Sequence, residues 1–476
     1  MPSLREQETA QDLLERAVAI AKSARARGGR ALIVGGWVRD RLLGRVSKDV
    51  DIEVYGIGAA ELRVLLEEFG RVETVGESFT VYKLGPIDVS LPRRESKSGR
   101  GHRGFTVEGD PSMAEDEAAR RRDFTVNAIG WNPLTGDYTD PFGGIADLEN
   151  RTLRAVDPAT FGDDSLRVLR AVQIAARFGL RVEPSTAALC RTIPLDDLPA
   201  ERVRGEFEKL LLLADRPSVG FEVAREISVV DKLLPEMAAL QGCEQEPEWH
   251  PEGDAWVHTL MVVDEARADS GDLDRARALT LLLGAVCHDF GKPATTAYVN
   301  GRIRSYNHEE AGVGPTLALL DRLNVHTIDG YAARSQIIGL VAHHLEPGMW
   351  HKVRDQVSDG AFRRLARKVD LELLARLARA DCAGRTGEFD CSAMDWFLER
   401  ARSLGVEHRP PSRLVLGRHL LALGVEPGPR MGRILNQVYE RQLDGEVRTL
   451  DEGIAAAKDI LEREARPAES LPRARR

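Results

Sequence analysis

The stretch Val34-Gly35-Gly36-Trp37-Val38-Arg39-Asp40, followed by Lys48-Asp49-Val50-Asp51, decides how this chain is read. The apolar run from Ala31 to Val34 predicts a buried strand that stops at the glycine pair. Trp37 to Leu43 predicts a helix, and Gly44 ends it. Val50, Ile52 and Val54 then alternate with Asp49, Asp51 and Glu53, which is the period of a strand. Side chains at i and i+2 of a strand share a face, so Asp49 and Asp51 are expected to point the same way. Two like charges so placed repel unless a cation lies between them. Magnesium, a hard cation that prefers oxygen and is often shared with substrate phosphates, suits such a pair. Gly35 and Gly36 carry no Cβ and let a phosphate approach backbone N–H groups at the helix start. Arg39, one turn into that helix, is placed to neutralise the same phosphates. A lone D-x-D pair is ordinary on a solvated strand; the glycine pair and the arginine give this one a chemical reading.

Working outward, a chain of 476 residues has room for several domains, and breaks in the pattern suggest boundaries near 150, 245 and 405. The five cysteines are scattered with no C-x-x-C pair, which argues against a disulfide framework and against a thiolate zinc site. The N-terminus is charged and lacks an apolar signal core, and no apolar run is long enough to span a membrane. A cytoplasmic protein without a membrane partner is the expectation. The net charge of −9 does not exclude an RNA partner, because a local basic patch sets the footprint. Arg93, Arg94, Lys97, Arg100 and Arg103, followed by Arg120, Arg121 and Arg122, form such a patch. The tail after Arg466 is Pro- and Arg-rich and reads as disordered.

Beyond the D-x-D segment, Ala59 to Phe69 predicts a helix, and Phe79 to Leu84 and Ile87 to Leu91 predict strands. Asp88, inside the second of these, is either a third metal-site carboxylate that helps activate an attacking hydroxyl or an edge-strand aspartate. Residues 92–119 read as a long, mobile loop. Arg121 to Ala128 is open to a strand reading and to a helix capped by Asp123, and Asp140 to Leu148 reads as a turn-rich closing segment. Asp163-Asp164-Ser165-Leu166-Arg167-Val168-Leu169-Arg170-Ala171 opens a long helix whose dipole the two acids complement. Asp164 and Arg167, at i and i+3, are expected on one face, offering an acceptor and a fork of donors in a fixed plane. That is what reading a Watson–Crick edge by hydrogen bonds requires.

These motifs together resemble the head of the class II tRNA nucleotidyltransferases, the CCA-adding enzymes, and of bacterial poly(A) polymerases. The match runs through G-G-x-V-R-D-x-L-L-G and D-x-D, Arg121-Arg122-Asp123-Phe124-Thr125-Val126-Asn127-Ala128, Asp140 to Leu148, and Asp163 to Arg170. The resemblance implies that Gly35, Gly36, Arg39, Arg122 and Arg170 bind CTP and ATP. It gives Asn127 the sugar or the site geometry, and makes Asp164 and Arg167 the protein template for C and then A. Asp163 stands where the family often has Glu, and Gln173 where many members have a further nucleotide-contacting Arg. The loop at 92–119 falls where the family needs one for adding the terminal A. Glu201 to Lys209 resembles a further family segment in which Arg202 and Glu206 would brace the neck helices as an i, i+4 pair.

From Trp256 onward the chemistry changes. His258, His288-Asp289, His308, His343-His344 and Asp381 recur in order on apolar helical patterns. Imidazole and carboxylate together suit a divalent transition metal such as nickel, manganese or cobalt. The order resembles the HD phosphohydrolase superfamily, which implies those residues as ligands and a water activated against a phosphate ester. Cyclic phosphodiesterase, phosphatase and 2′-nucleotidase are the activities the resemblance implies. Leu421 to Gly432 joins two helical patterns by a Pro/Gly turn and resembles the family tail that holds the tRNA body, with Arg430 near phosphate.

The resulting expectation is an α+β chain. A nucleotidyltransferase palm with a mixed sheet (1–150) is followed by an all-α neck (151–245), an HD domain (246–404) and a tRNA-binding tail (405–476). It would add CCA to the 3′ end of tRNA from CTP and ATP as a monomer or homodimer, with magnesium on Asp49 and Asp51. The alternatives are a poly(A) polymerase, which would not be expected to carry an HD domain, an enzyme adding only CC or only A, and an HD phosphohydrolase whose head only binds RNA.

Overall fold

The strand expected before the glycine pair runs over Arg30–Val34 (β1), and the helix after it over Gly36–Leu42. The computed structural model describes residues 9–47, 49–75, 81–97 and 105–465. Lys48, Arg100, Arg103 and the tail from Arg466 lie outside the described residues. The chain divides into two units, Met1–Pro235 and Glu236–Arg476.

In the first unit, β1 is followed by β2 (Val50–Tyr55), β3 (Glu73–Val75), β4 (Val81–Leu84), β5 (Ile87–Ser90), β6 (Arg93–Lys97), β7 (Phe105–Gly109), β8 (Gly130–Trp131) and β9 (Tyr138–Thr139). Seven of these form one sheet in the order β3-β4-β5-β2-β1-β8-β9. β2 and β5 are parallel and the other neighbours antiparallel, so the sheet is mixed. Ala31 to Val34, Ile52 and Val54 are buried, and helices Ala10–Ala26 and Ala59–Glu67 supply the apolar faces Ile20, Ala24, Leu62, Leu65 and Leu66. The register sets Val34 opposite Asp51 on one side and Asp88 opposite Asp51 on the other. Asp88 therefore sits on an inner strand; the edge-strand reading is not what forms.

Several local expectations are corrected. Residues 92–119 are not one long loop: β6 and β7 pair antiparallel, with Arg93 opposite Gly109, and Glu115–Arg120 is a helix. Arg94 pairs with Asp110 at 3.1 Å and with Glu117, so charges that read as loop carry the ribbon's cross-links. Residues 98–104 lie outside the described residues. Arg121 to Ala128 is neither strand nor α-helix but contains a 3₁₀ turn over Thr125–Asn127, with Phe124 bridged to Ala155. Within Asp140 to Leu148 a helix begins at Gly144, because the Asp140 carboxylate accepts hydrogen bonds from the Gly144 and Ile145 N–H groups at 2.7 and 2.9 Å.

The second unit is helical apart from a two-stranded ribbon, Thr296–Val299 with Arg302–Ser305. Its centre is built from helices Ala255–Ala268, Arg275–Cys287, Ala333–His343 and Leu371–Ala383. Every residue from Ala278 to Cys287 is buried, so that helix is apolar all round rather than striped. A separate cluster of Leu420, Ile434, Val438, Ala457 and Ile460 forms the core of the C-terminal helices. Cys382 and Cys391 are bridged, a cross-link that their spacing did not announce; Cys190, Cys243 and Cys287 are free. No helix among the described residues is long and apolar enough to cross a membrane.

Candidate functional site

A cleft of about 440 Å³ in the first unit gathers Gly35, Gly36, Arg39, Asp51, Arg122, Asn127, Asp164, Arg167, Arg170 and Gln173. Gly35 has φ +74°, a left-handed conformation that a side chain strains. A Cβ there would lie 3.1 Å from Arg122 Nη1 and 3.4 Å from Asp51 Oδ2. The glycine is what lets Arg122 and Asp51 face each other across an open backbone. Asp51, which lines the cleft, is pushed above the usual carboxylate range, first by desolvation and then by the Asp88 and Asp49 carboxylates, against Arg122 and Lys83. Asp49 is exposed just before β2, and neither it nor Asp88 lines the cleft. Asp88 takes both of its oxygens to Lys83 Nζ at 2.9 and 2.8 Å, and Lys83 is raised by that hydrogen bond.

Two further arrangements differ from the spacing argument. Arg39 is only 6% exposed, and its guanidinium is engaged by Asp40 and donates to Asn127 Oδ1 at 2.7 Å. It stacks on Phe178 at 3.8 Å, so it braces the cleft more than it greets phosphate. Asn127 in turn donates to Asp123 at 3.0 Å, and Arg170 Nε reaches the other Asp123 oxygen at 2.6 Å. Burial alone would raise Asp123, but Arg170 and Asn127 hold it below its ordinary range. Asp164 is extended and lies before the helix, which starts only at Leu166; it does not share a helix face with Arg167. Both still line the cleft, and Asp164 receives Arg202 at 3.3 and 3.2 Å while Arg167 donates to the Arg121 and Thr160 carbonyls. Arg202 therefore serves Asp164 and not Glu206, which pairs with Lys209 at 2.8 Å. Gln173 is buried and accepts from Arg177 Nη1 at 2.9 Å, so Arg177 brings an arginine to the cleft wall one turn later.

Sequence reasoning missed Asp123, Arg177, Arg202 and Glu53 as parts of this network. Glu53 is 2% exposed and takes Arg121 at 2.6 Å and the Tyr55 hydroxyl at 2.8 Å. A buried acid in a strand signals a partner, and the paired arginines 121 and 122 were the candidates for it. Of the basic patch, Arg94, Arg121 and Arg120 are each ion-paired, the last with Asp157 at 3.8 Å. Arg430, at 2.9 Å from Glu464, is likewise paired.

The second unit brings His258, His288, Asp289, His308, His344 and Asp381 together. His258 Nε2 lies 3.0 Å from Asp381, His288 Nε2 3.2 Å and His308 Nε2 3.4 Å from Asp289, and the His308 and His344 Nε2 atoms are 3.2 Å apart. Each ring is aimed from behind. His288, His308 and His344 donate Nδ1–H to the carbonyls of Ala285, Ser305 and Val341, all at 2.8 Å, and His258 Nδ1 faces Glu252 at 2.9 Å. That leaves every Nε2 turned inward, the tautomer a metal ligand needs. His288 Nε2 is buried without a hydrogen-bond partner, which fits a cation. His343 is corrected: it turns away and pairs with Glu346 at 2.8 Å. Gly291 makes the approach possible, since a Cβ there would stand 2.0 Å from the His308 carbonyl.

Burial, with His288 and His308, pushes His344 down to about 3, so it is neutral. Burial would also strip His258 of its proton, but Asp381 and Glu252 outweigh it and raise the group. Asp289 and Asp381 are held well below the carboxylate range despite burial, Asp289 chiefly by His288 and Lys292 and Asp381 by His258 and Arg385. The missed residues here are His250, Glu252 and Lys292; Lys292, 2.7 Å from Asp289, comes three residues after it in the sequence.

Residues 31–154 match the poly A polymerase head domain, and residues 179–241 the probable RNA and SrmB-binding site of polymerase A. The multifunctional CCA protein of Xanthomonas campestris pv. campestris is 38% identical over 423 residues, covering 85% of this chain and 95% of that one. That of Stenotrophomonas maltophilia is 39% identical over 375 residues, 75% and 86% of the two chains. The Bacillus stearothermophilus CCA-adding enzyme in complex with CTP shares the fold with a TM-score of 0.63 at 20% identity, over 95% of this chain and 98% of that one. The Thermotoga maritima CCA-adding enzyme complexed with tRNA does so at 0.54 and 20% identity, over 96% and 97%. With that identity over nearly the whole length of its relatives, the chain belongs to the family of the multifunctional CCA proteins.

Proposed function

We propose that the first unit adds CCA to the 3′ end of tRNA from CTP and ATP, without a nucleic-acid template. The observation that carries this reading is the register: Asp51 lies between Val34, which leads into the open glycine pair, and Asp88, and lines a cleft that also holds Asp164 and Arg167. Asp49 and Asp51 would hold magnesium, and the raised Asp51, desolvated and facing the Asp88 and Asp49 carboxylates with only Arg122 and Lys83 against them, fits a cation there. The chemistry magnesium supplies when bound is charge withdrawal from the triphosphate and a lowered pKa for the attacking hydroxyl. Arg122 and Arg170 hold the phosphates and sugar, while Arg39 and Asn127 keep that wall rigid. Asp164 and Arg167 present an acceptor and donors to the base. The tRNA 3′-oxygen bonds to the α-phosphorus, the bond to pyrophosphate breaks, and the hydroxyl proton leaves to solvent, while Asp88, held on both oxygens by Lys83, adds its charge beside Asp51. Arg177 supports complete CCA addition despite Gln173. Domains at 1–150, 151–245, 246–404 and 405–476, and a cytoplasmic site of action, belong to this reading.

The test is incorporation of labelled CTP and ATP, with magnesium, onto tRNA transcripts ending before the first C, the second C and the final A. Growth of all three to CCA and no further is expected. Arrest after CC, or long A tails, would replace this reading with a partial enzyme or a poly(A) polymerase.

A second activity is favoured by the inward-facing Nε2 set. His258, His288, Asp289, His308, His344 and Asp381 would hold a divalent transition metal, whose chemistry is a lowered pKa for water and polarisation of a phosphate. Lys292 and Arg385 meet the charge of the phosphate ester being hydrolysed. Water adds to phosphorus, one P–O ester bond breaks, and the sugar hydroxyl leaves carrying a proton.

A further inference from the structure

The mouth of the second centre carries more than a phosphate ester needs. A cavity of about 420 Å³ opens over Asp289, His308, His344 and Asp381. Two of its cations are already matched by the cluster's own acids, Lys292 by Asp289 at 2.7 Å and Arg385 by Asp381 at 3.6 Å. Two others, Arg304 and Lys352, line the same cavity and have no acidic partner among the described residues. A second anionic group on the ligand answers them. Trp249 lines the cavity as well and is 45% exposed, an unusual place for the largest apolar side chain.

These groups are held in place. Trp249 sits in a turn closed by its own N–H to the Glu246 carbonyl at 3.0 Å, and the next residue, His250, packs edge-on against His258 with ring centroids 4.6 Å apart. The ribbon that carries Arg304 turns through Asn300 and Gly301, both at positive φ, as a tight two-residue hairpin requires. It is tied to the Trp249 segment by the Ile303 N–H to Glu246 at 2.9 Å and by Arg302 to Glu248 at 2.8 Å. A flat apolar ring and Arg304 on one tied rim, with Lys352 lining the same cavity from the end of helix Glu346–Lys352, make a reader for a ring and a second phosphate beside a metal-ligand cluster.

We infer that this rim selects the terminal nucleotide of a strand. Trp249 stacks the terminal base, and Arg304 with Lys352 takes the neighbouring internucleotide phosphate, while the terminal phosphate ester lies over the His308, His344, Asp289 and Asp381 side chains that would hold the metal. The inference rests on the phosphohydrolase reading of the second centre.

The test compares the full-length protein, loaded in turn with nickel, manganese and cobalt, on three substrates: a dinucleotide ending in a 2′,3′-cyclic phosphate, the cyclic mononucleotide, and cyclic glycerol phosphate. The wild type is expected to prefer them in that order. Arg304→Ala should cut the dinucleotide-to-mononucleotide ratio of kcat/KM about tenfold, and Trp249→Ala the nucleotide-to-glycerol ratio about tenfold, while Trp249→Phe keeps most of it. Binding of the dinucleotide product to metal-free protein, with CTP filling the first cleft and heat as the readout, should weaken in Arg304→Ala in step. Equal melting temperatures establish that the variants fold; a variant that unfolds is replaced by Arg304→Gln or Trp249→Leu. Ratios unchanged in folded variants, or a wild type that treats all three substrates alike, overturn the inference and leave the phosphohydrolase reading standing. No turnover of any substrate by the wild type with any of the metals overturns both.

Discussion

At the scale of single residues, the first cleft depends on what Gly35 lacks. With φ +74° and Arg122 3.1 Å from the place of a Cβ, Gly35→Ala should cost about 1 kcal/mol of stability. Its larger effect should be on CTP and ATP, with KM rising several-fold for both because Arg122 must shift; an unchanged KM in titrations of each nucleotide would remove Arg122 from the phosphate site. His344 makes a prediction in pH. Its folded value is about 3 and its unfolded value is the ordinary histidine one, so the unfolded chain takes up the proton first. Stability from keeping it neutral is present above the unfolded value, near pH 6.5, and is lost as pH falls toward 3. The metal-free protein should therefore lose roughly 4 kcal/mol across that window relative to His344→Asn, with no such difference above it. Urea melts at a series of pH values check the slope, and parallel curves would show that His344 is not held neutral. His343 shows why its neighbour could not be told apart in the sequence. Both stand at the end of one apolar helix, His343 as its last residue and His344 just after it, and only the direction of that turn decides which ring enters the cluster and which meets Glu346.

At the scale of elements, the strands and helices with clean apolar periods were legible: β1, β2, β5 and the helices at 36–42 and 59–67 all form close to where the pattern put them. What was not legible is structure held by charge. The β6 strand of the β6–β7 ribbon, Arg93 to Lys97, has no apolar residue to read, and its Arg94 is anchored by Asp110 and Glu117. Asp164 looked like a helix residue from its spacing, yet its carboxylate accepts the Leu166 N–H and Arg202, so the chain stays extended there. The ribbon at 296–305 was readable in principle from Asn300-Gly301 between alternating residues. The turn after His288-Asp289 is the element with the least freedom. A Cβ on Gly291 would overlap the His308 carbonyl, so Gly291→Ala should destabilise the second unit by about 3 kcal/mol and displace His308 from Asp289. The check is bound metal by elemental analysis at a temperature where the variant stays folded, and full metal content would mean His308 is not required to hold it.

At the scale of the whole molecule, the chain folds as two units, and each has its own cluster of acids and its own cleft. The acids of the first are oxygen donors only, a set for magnesium, whereas the second offers imidazoles with a fixed tautomer, a set for a transition metal. Different donor chemistry implies different metal demand, so the two activities should separate under mutation. Asp51→Ala removes the carboxylate at the centre of the register and should lower incorporation of both nucleotides by about a thousandfold, without changing hydrolysis of a cyclic phosphodiester. His288→Ala removes a ring whose inward Nε2 is buried without a hydrogen bond, and should abolish that hydrolysis while CCA addition proceeds with magnesium. Within the first unit Asp51 answers to Arg122, Asp88, Asp49 and Lys83, and within the second His288 answers to Asp289 and Ala285. The pair of variants, assayed for both reactions on one preparation, therefore gives a crossed pattern. Loss of both activities in either folded variant would mean that one centre supports both, and hydrolysis that survives His288→Ala would mean that the second cluster is structural.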